Sequence, residues 1–526
     1  MSLLRSAATV STFTLLSRIT GLARDIIIAR AFGVSALTDA FWVAFRIPNL
    51  LRRLFAEGAF SQAFIPIMGE VKANNSDVAV IRQTIDRVAS ALFLALTLIT
   101  VLGIIGAPLV VLAIASGMGT PDRASEYEAA VWMTRVMFPY IICMSLVSFA
   151  SGVLNTWRKF AVPAVTPVLL NLSMIAASLL LSEHLDEPIY ALAIGVMIGG
   201  VAQLSVQWWA LSRLGLRPRL SGEVSKTTKD PIVRRVLRQM VPATLGVSVA
   251  QISLLINTNI ATWLAPGSVT WLSFADRLME FPTALIGVAL GTVLLPSLSK
   301  AHASQSNAEY SRLLDWGMRL VLVLGLPAAV AMILLADAMV ATLFQYGAFS
   351  ATDVYQTQLA VMAYSVGLIG LLMVKILAPG FYAKQDIKTP VKIAIGVLIT
   401  TQLLNLVLVP TLAHAGLALA IALGASLNAA ALFIGLRRRG VYQAQNGWLV
   451  FMGRQIMALV VMAGFIVLIG GDIAWTDASF GIGARVGWLT VTLGIGFVAY
   501  LATLWVLGMR PSDFQRKLSQ DTEAKP

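Results

Sequence analysis

Residues 89–115 read ASALFLALTLITVLGIIGAPLVVLAIA, twenty-seven positions without a single charge. A helix crosses the hydrocarbon core of a bilayer with about 20 apolar residues, so this run by itself puts the chain in a membrane. Comparable runs recur, Met457–Gly470 among them, and none alternates as a strand would. The chain therefore reads as a helical bundle and not as a barrel. Composition agrees: 58% of the 526 residues are hydrophobic and only 12% charged, where globular domains carry about 25% charge. The expected fold is an all-α polytopic membrane protein with fourteen transmembrane helices, centred near residues 20, 50, 101, 142, 171, 200, 250, 283, 328, 368, 400, 424, 460 and 496.

Charge alternates along the connections between these spans. Basic residues follow the even-numbered spans: Lys72, Arg82 and Arg87, then Arg158 and Lys159, then the stretch Arg213 to Arg238, and later Lys300 with Arg312, Lys384 with Lys388, Arg437 to Arg439, and Arg510 with Arg516 and Lys517. Acidic residues mark the opposite connections, at Asp122, Glu126 and Glu128, at Glu183, Asp186 and Glu187, and at Asp472 and Asp477. By the positive-inside rule both termini are expected in the cytoplasm. The same asymmetry accounts for the net charge of +13 without a nucleic-acid partner. Ala29-Arg30-Ala31 has the look of a signal-peptide cleavage site, but Arg18, Arg24 and Asp25 interrupt the apolar core that such a peptide needs, so the segment reads as a retained first helix.

A repeat runs through the chain. Ala191-Leu-Ala-Ile194 returns as Ala418-Leu-Ala-Ile421, and Gly152 with Arg158, Lys159 and Pro163 returns as Gly380 with Lys384, Lys388 and Pro390. The offsets are 227 (418 − 191) and 228 (380 − 152), which favours duplication of a six-span unit. An even number of spans keeps both copies in one orientation, so the repeat is parallel and a central cavity is expected between two six-helix lobes. The expected division is an N-lobe at 1–220, a C-lobe at 221–445 preceded by a basic linker, two extra apolar helices at 446–508 without a repeat partner, and a tail at 509–526.

Charge within the first two spans sets them apart: Arg18, Arg24, Asp25, Asp39, Arg46, Arg52, Arg53 and Glu57. A charge at mid-membrane costs about 2.5–3.5 kcal/mol on insertion scales, so such residues line a cavity, pair, or reach the interface. Arg18 and Asp25 fall seven apart, on nearly the same helical face, and Asp39, Arg46 and Arg53 also repeat at sevens. Arg53 with Glu57 is equally readable as a structural pair, and Asp39 with Arg46 admits that reading too. In the second lobe Asp276, Arg277 and Glu280 form a further cluster, readable as an internally neutralised knot, and Lys375 adds a lone cation. Taken together, Arg18, Arg24, Arg52 and Arg277 make a cationic set whose guanidinium forks suit phosphate or carboxylate oxygens.

Other chemistry is poorly supported. Cys143 is the only cysteine, the histidines His184, His302 and His414 fall in predicted loops without ligand-type neighbours, and no phosphate-binding Gly-Lys-Ser/Thr loop occurs. A cation-coupled drug exporter would be expected to carry acids in the cavity. A non-transporting membrane scaffold would use the basic stretch Arg213 to Arg238 for docking, although such a stretch is more often a solvated loop near anionic lipid.

Longer motifs then carry a resemblance. Gly21-Leu-Ala-Arg-Asp25, Asp39-Ala-Phe-Trp42, Phe45-Arg-Ile-Pro-Asn49, Leu51-Arg-Arg53 and the block Glu57 to Pro66, with Ala275-Asp-Arg-Leu-Met-Glu-Phe-Pro282 and Gly291 to Lys300, resemble the MurJ (MviN) lipid II flippases of bacteria. The likeness covers essentially the whole chain and extends in outline to the multidrug/oligosaccharidyl-lipid/polysaccharide exporter superfamily. It implies a transporter and not an enzyme. Its expected action is to move lipid II, the undecaprenyl-diphosphate-linked peptidoglycan precursor, from the inner to the outer leaflet of the bacterial cytoplasmic membrane by alternating access. Flippases for O-antigen-type lipid-linked oligosaccharides differ by headgroup. The resemblance implies substrate-binding roles for Arg18, Arg24, Arg52 and Arg277, and makes Asp39, Asn49, Thr270 and Glu280 sensitive positions. Asp25, Arg53, Asp276 and Lys375 join these as cavity or gating residues. Lipid II and the phospholipid bilayer are the expected partners, with cell-wall synthesis proteins beside them, and a monomer is the expected state. No cofactor and no metal are expected. Some relatives build a sodium site on a span-seven carboxylate, but Met240 to Trp263 contains no acid and offers only neutral groups such as Asn257, with Gln402 and Asn405 elsewhere.

Overall fold

The computed structural model describes residues 3–51, 60–74, 77–220, 230–477 and 480–514, and all regular structure in them is helical. Two compact units result. One comprises Met1–Phe274 together with Phe344–Asp353, and the other Ala275–Leu343 together with Val354–Pro526.

The first unit contains α1 (Leu3–Phe32), α2 (Ala36–Leu51), α3 (Phe60–Asn74), α4 (Val78–Ile105), α5 (Ala107–Ile114), α6 (Ala124–Met137), α7 (Tyr140–Thr156), α8 (Ala161–Leu180), α9 (Tyr190–Arg213) and α10 (Pro231–Thr262). Local chemistry sets several starts. Ser35 and Thr38 cap α2 reciprocally, Thr38 Oγ1 accepting from Ser35 N at 2.7 Å and Ser35 Oγ from Thr38 N at 3.2 Å, which satisfies amides that the first turn leaves unpaired. Asp230 caps α10 by accepting from Ile232 N at 2.8 Å, with Pro231 at the position where its missing N–H is harmless. α8 packs between α1 and α9. Gly195 and Gly199 permit that closeness, because a Cβ at either would lie 2.8 Å from the Cβ of Ala177 or a methyl of Leu170; small residues at this spacing let membrane helices approach.

α11 (Ser268–Ala303) starts in the first unit and continues into the second. There follow α12 (Asn307–Leu334), α13 (Ala336–Phe344), α14 (Ala351–Val366), α15 (Leu368–Leu377), α16 (Pro379–Tyr382), α17 (Lys388–Arg438), α18 (Trp448–Gly470) and α19 (Ile482–Val506). The long α17 is two helices joined at Ala413, whose φ of 49° and ψ of −129° break the helical path just after Pro410. α18 and α19 pair with each other and leave Leu449, Leu468 and Val506 between 77% and 91% exposed, the surface expected of lipid-facing helices.

Each expected span centre falls in one of these helices. By length and composition, nine helical stretches among the described residues can cross a membrane, and α17 counts once although it holds two of the expected spans. The chain is thus a multi-pass membrane protein. The histidine expectation needs correcting: His302 belongs to the last turn of α11, and His414 is buried beside the Ala413 break with Nε2 2.8 Å from the Gln356 carbonyl. A backbone break, not an apolar-to-polar transition, separates those spans, so the pattern around His414 mimics a loop.

Candidate functional site

Asp39 is 1% exposed and lies near the start of α2. Its Oδ1 accepts from Thr270 N at 2.8 Å and Thr270 Oγ1 at 2.6 Å, and its Oδ2 accepts from Gly267 N at 2.7 Å. Those amides are the unpaired donors at the N-terminus of α11, so Asp39 caps a helix more than 200 positions away and its charge meets the positive end of the dipole. A buried carboxylate with three donors, two of them at a dipole, is a satisfied group. Asp39 and Arg46 were a candidate pair in the sequence; the carboxylate oxygens of Asp39 bond instead to Thr270 and Gly267.

The same end of the first unit is tied twice more. Ala348 N donates to the Arg30 carbonyl at 3.0 Å, while Gly33 and Gly347, at φ of 60° each, sit where a Cβ would come within 2.4 Å of the Ala348 and Arg30 carbonyl oxygens respectively. Only glycine fits both the dihedral and the space. Trp271 Nε1 donates to Asp353 Oδ1 at 3.0 Å, and Asp353 Oδ2 accepts from Ser350 N and Oγ at 2.9 and 2.7 Å. Three turns distant in sequence, 33–35, 264–267 and 345–350, are joined in this way.

Deeper in α1, Arg24 is 5% exposed and bound on all sides: Nε and Nη2 reach Asp25 Oδ1 at 2.9 and 2.6 Å, and Nη1 reaches Asn171 Oδ1 at 3.1 Å. Asn171 of α8 donates in turn to the Ser17 carbonyl at 3.0 Å and Thr20 Oγ1 at 3.1 Å. Asp25 therefore pairs with its neighbour Arg24, although the helical wheel put it on the face of Arg18. A long guanidinium arm can fold back over an adjacent carboxylate, and wheel geometry tracks only Cβ directions. Arg18 is exposed, and Arg46 and Asn49 are half-buried.

In the second unit Arg277 and Glu280 form an i,i+3 ion pair at 2.7 Å, with side chains 30% and 37% exposed. Asp276 is exposed. Lys375 of α15 extends over Gly287 of α11, where a Cβ would be 2.4 Å from its Cδ, and donates to the Thr283 carbonyl at 3.0 Å. Asn405 donates to Gln402 Oε1 at 3.0 Å, and among the described residues no group of three or more His, Cys, Asp or Glu converges as metal ligands. Arg52, Arg53 and Glu57 lie outside the described residues.

The sequence reading missed Asn171, Asp353 and the Gly33–Gly347 pair. Asn171 had a signal, being a lone amide in the apolar run of α8. Asp353 had none, since its partner is 82 residues away.

Residues 28–480 match the family profile described as "Lipid II flippase MurJ". A lipid II flippase MurJ from Burkholderia cenocepacia is 52% identical over 98% of this chain and 100% of its own length, and a probable lipid II flippase MurJ from Vibrio cholerae is 40% identical over 98% of each. In fold the chain is similar to a solved MurJ in an inward closed conformation, with a TM-score of 0.79, 23% identity and coverage of 94% of this chain and 98% of that one. It is also similar to an inward-facing multidrug transporter of the MATE family and MOP superfamily, with a TM-score of 0.66 and 16% identity over 82% of this chain and 98% of that one. Kinship along nearly the full length, on a helical scaffold of the same fold, means that the chain belongs to the MurJ lipid II flippase family, a family of transporters and not of enzymes.

Proposed function

We propose that the protein carries lipid II from the inner to the outer leaflet of the bacterial cytoplasmic membrane by alternating access, with both termini in the cytoplasm. The observation that carries this reading is 52% identity to a lipid II flippase over 98% of the chain. The charge pattern supports it: basic connections alternate with acidic ones, and six guanidinium groups, suited to a diphosphate, stand among the charges within the spans. Arg18, Arg24, Arg52 and Arg277 are the proposed diphosphate ligands. Arg18 is exposed to an approaching anion, and Arg277 would exchange its half-exposed partner Glu280 for it. Arg24 must give up bonds to Asp25 or Asn171, so its engagement is coupled to rearrangement of α1 against α8. Asp39 and Thr270 act as a latch that keeps the start of α11 in place between transport steps. Outward movement of negative charge is assisted by about 2.3 kcal/mol per charge per 100 mV with the cytoplasm negative.

The test is depletion in cells with an outer-leaflet lipid II readout, complemented by wild type, Arg24→Ala or Arg277→Ala at matched abundance. Wild type restores export, and each alanine variant restores it poorly. Normal export in depleted cells would overturn the flippase reading. Full rescue by both alanine variants would overturn the arginine assignment while leaving the flippase reading intact.

A further inference from the structure

The second unit contains a cavity of about 750 Å³ where α12 and α18 begin and the turn after α19 ends. Arg312, Arg319 and Arg454 converge on it, with Trp316 and Phe451 in its wall. Arg319 is fixed in place: Nε donates to Asp315 Oδ2 at 2.7 Å, Nη2 donates to the Asn446 carbonyl at 3.1 Å, and the guanidinium lies 5.0 Å from the ring centre of Trp448. Asp315 is fully committed, because its Oδ1 also accepts from Tyr442 Oη and Trp448 Nε1 at 2.7 Å each. The second acid on the rim, Asp513, accepts from Arg510 N at 2.8 Å. Arg312 and Arg454 form no ion pair with any described carboxylate. Three arginines against two acids leave one excess positive charge, and the first turn of α18, uncapped by any side chain, adds its dipole.

A solvated basic turn needs no cavity and no pre-positioned guanidinium. Here the cavity borders the bilayer. Leu449 and Val450, in the first turn of α18, are 91% and 58% exposed, and Trp505 and Val506, at the end of α19, are 61% and 83% exposed. Trp448 lines an apolar pocket of about 350 Å³ walled by Met318, Leu322, Met373 and Phe433, and it meets the wall of the cavity through its Nε1 bond to Asp315 and its edge contact with Phe451, ring centroids 5.5 Å apart. Indole at the boundary between apolar and charged surroundings is the usual mark of the membrane interface. A cationic cavity joined through a tryptophan to an apolar pocket fits an amphiphile with an anionic head.

We propose that this cavity is a binding site for the phosphodiester headgroup of an anionic phospholipid of the adjoining leaflet, held by Arg312, Arg319 and Arg454, with an acyl chain following the apolar pocket beside Trp448. The site uses none of the arginines assigned to the transported diphosphate, so it stands or falls independently of that assignment.

The test uses full-length protein in nanodiscs of equal parts phosphatidylglycerol and phosphatidylcholine, followed by native mass spectrometry of retained lipid. Wild type retains phosphatidylglycerol in preference to phosphatidylcholine. Arg312→Gln with Arg454→Gln reduces that preference about thirtyfold, which is roughly 1 kcal/mol per arginine converted at 1.4 kcal/mol per tenfold. Arg437→Gln with Arg438→Gln, which removes equal charge from exposed positions at the end of α17, leaves the preference unchanged. Equal loss in both double variants would mean diffuse surface charge and overturn the site. Competition of the retained lipid by millimolar inorganic phosphate would mean a free-phosphate site and overturn the lipid assignment. A thermal unfolding midpoint of the Arg312/Arg454 variant equal to wild type in phosphatidylcholine alone shows that the variant is folded; if it is lower there, the Arg454→Gln single variant replaces it in the same comparison.

Discussion

Two arginine–carboxylate pairs in this protein share their chemistry and differ in surroundings. The side chains of Arg24 and Asp25 are 6% and 2% exposed and are braced by Asn171; those of Arg277 and Glu280 are 30% and 37% exposed and bridge one helical turn. Taking both charges of a pair out of water is costly, and leaving one of them behind alone costs more. The pair in water can open for little. The difference teaches that a charge inside a transporter can be either a fixed element of its framework or a group free to exchange partners, and that burial separates the two.

The largest effect should come from Asp25→Ala, which strands the Arg24 guanidinium. A loss of about 3–5 kcal/mol is expected in unfolding of the purified protein. Arg24→Met combined with Asp25→Leu should recover most of that stability while abolishing export, and failure to recover would break the view that the pair is costly only when halved. Next comes Asp39→Ala, which frees two amides and a hydroxyl at the start of α11. About 2–3 kcal/mol should be lost, with Thr270→Ala losing about 1 and Thr270→Ser almost nothing. Gly347→Ala should cost about 1–3 kcal/mol from its dihedral alone, and more from the Arg30 carbonyl that its Cβ would meet. At the small end, Glu280→Ala should change stability by less than about 1 kcal/mol, and Arg277→Lys should be neutral in stability yet lower export by losing the planar fork. An unfolding cost for Glu280→Ala equal to that for Asp25→Ala would erase the contrast altogether.

Most of the helical architecture was legible because a membrane imposes one rule, apolar runs of spanning length, and every expected centre sits in a helix. The Arg18–Asp25 alignment shows where that rule stops, since side-chain reach is not coded by helical period. Asp39 stood out as a costly charge, but two of its three donors are backbone amides 228 and 231 positions away, which carry no side-chain signature. Thr270 was legible only through family likeness. The Ala413 break has no signal in its own residue, since alanine continues a helix as readily as any residue; only the neighbouring Pro410 hints at it.

The ten residues Phe344–Asp353 complete the first unit although the chain leaves that unit at Phe274. Asp353 is synthesised 79 residues (353 − 274) after Phe274, which at 5–20 residues per second is roughly 4–16 s. During that interval Trp271 lacks its carboxylate acceptor and the Arg30 carbonyl its amide donor. The first unit therefore stays incomplete during synthesis until the chain returns with these ten residues.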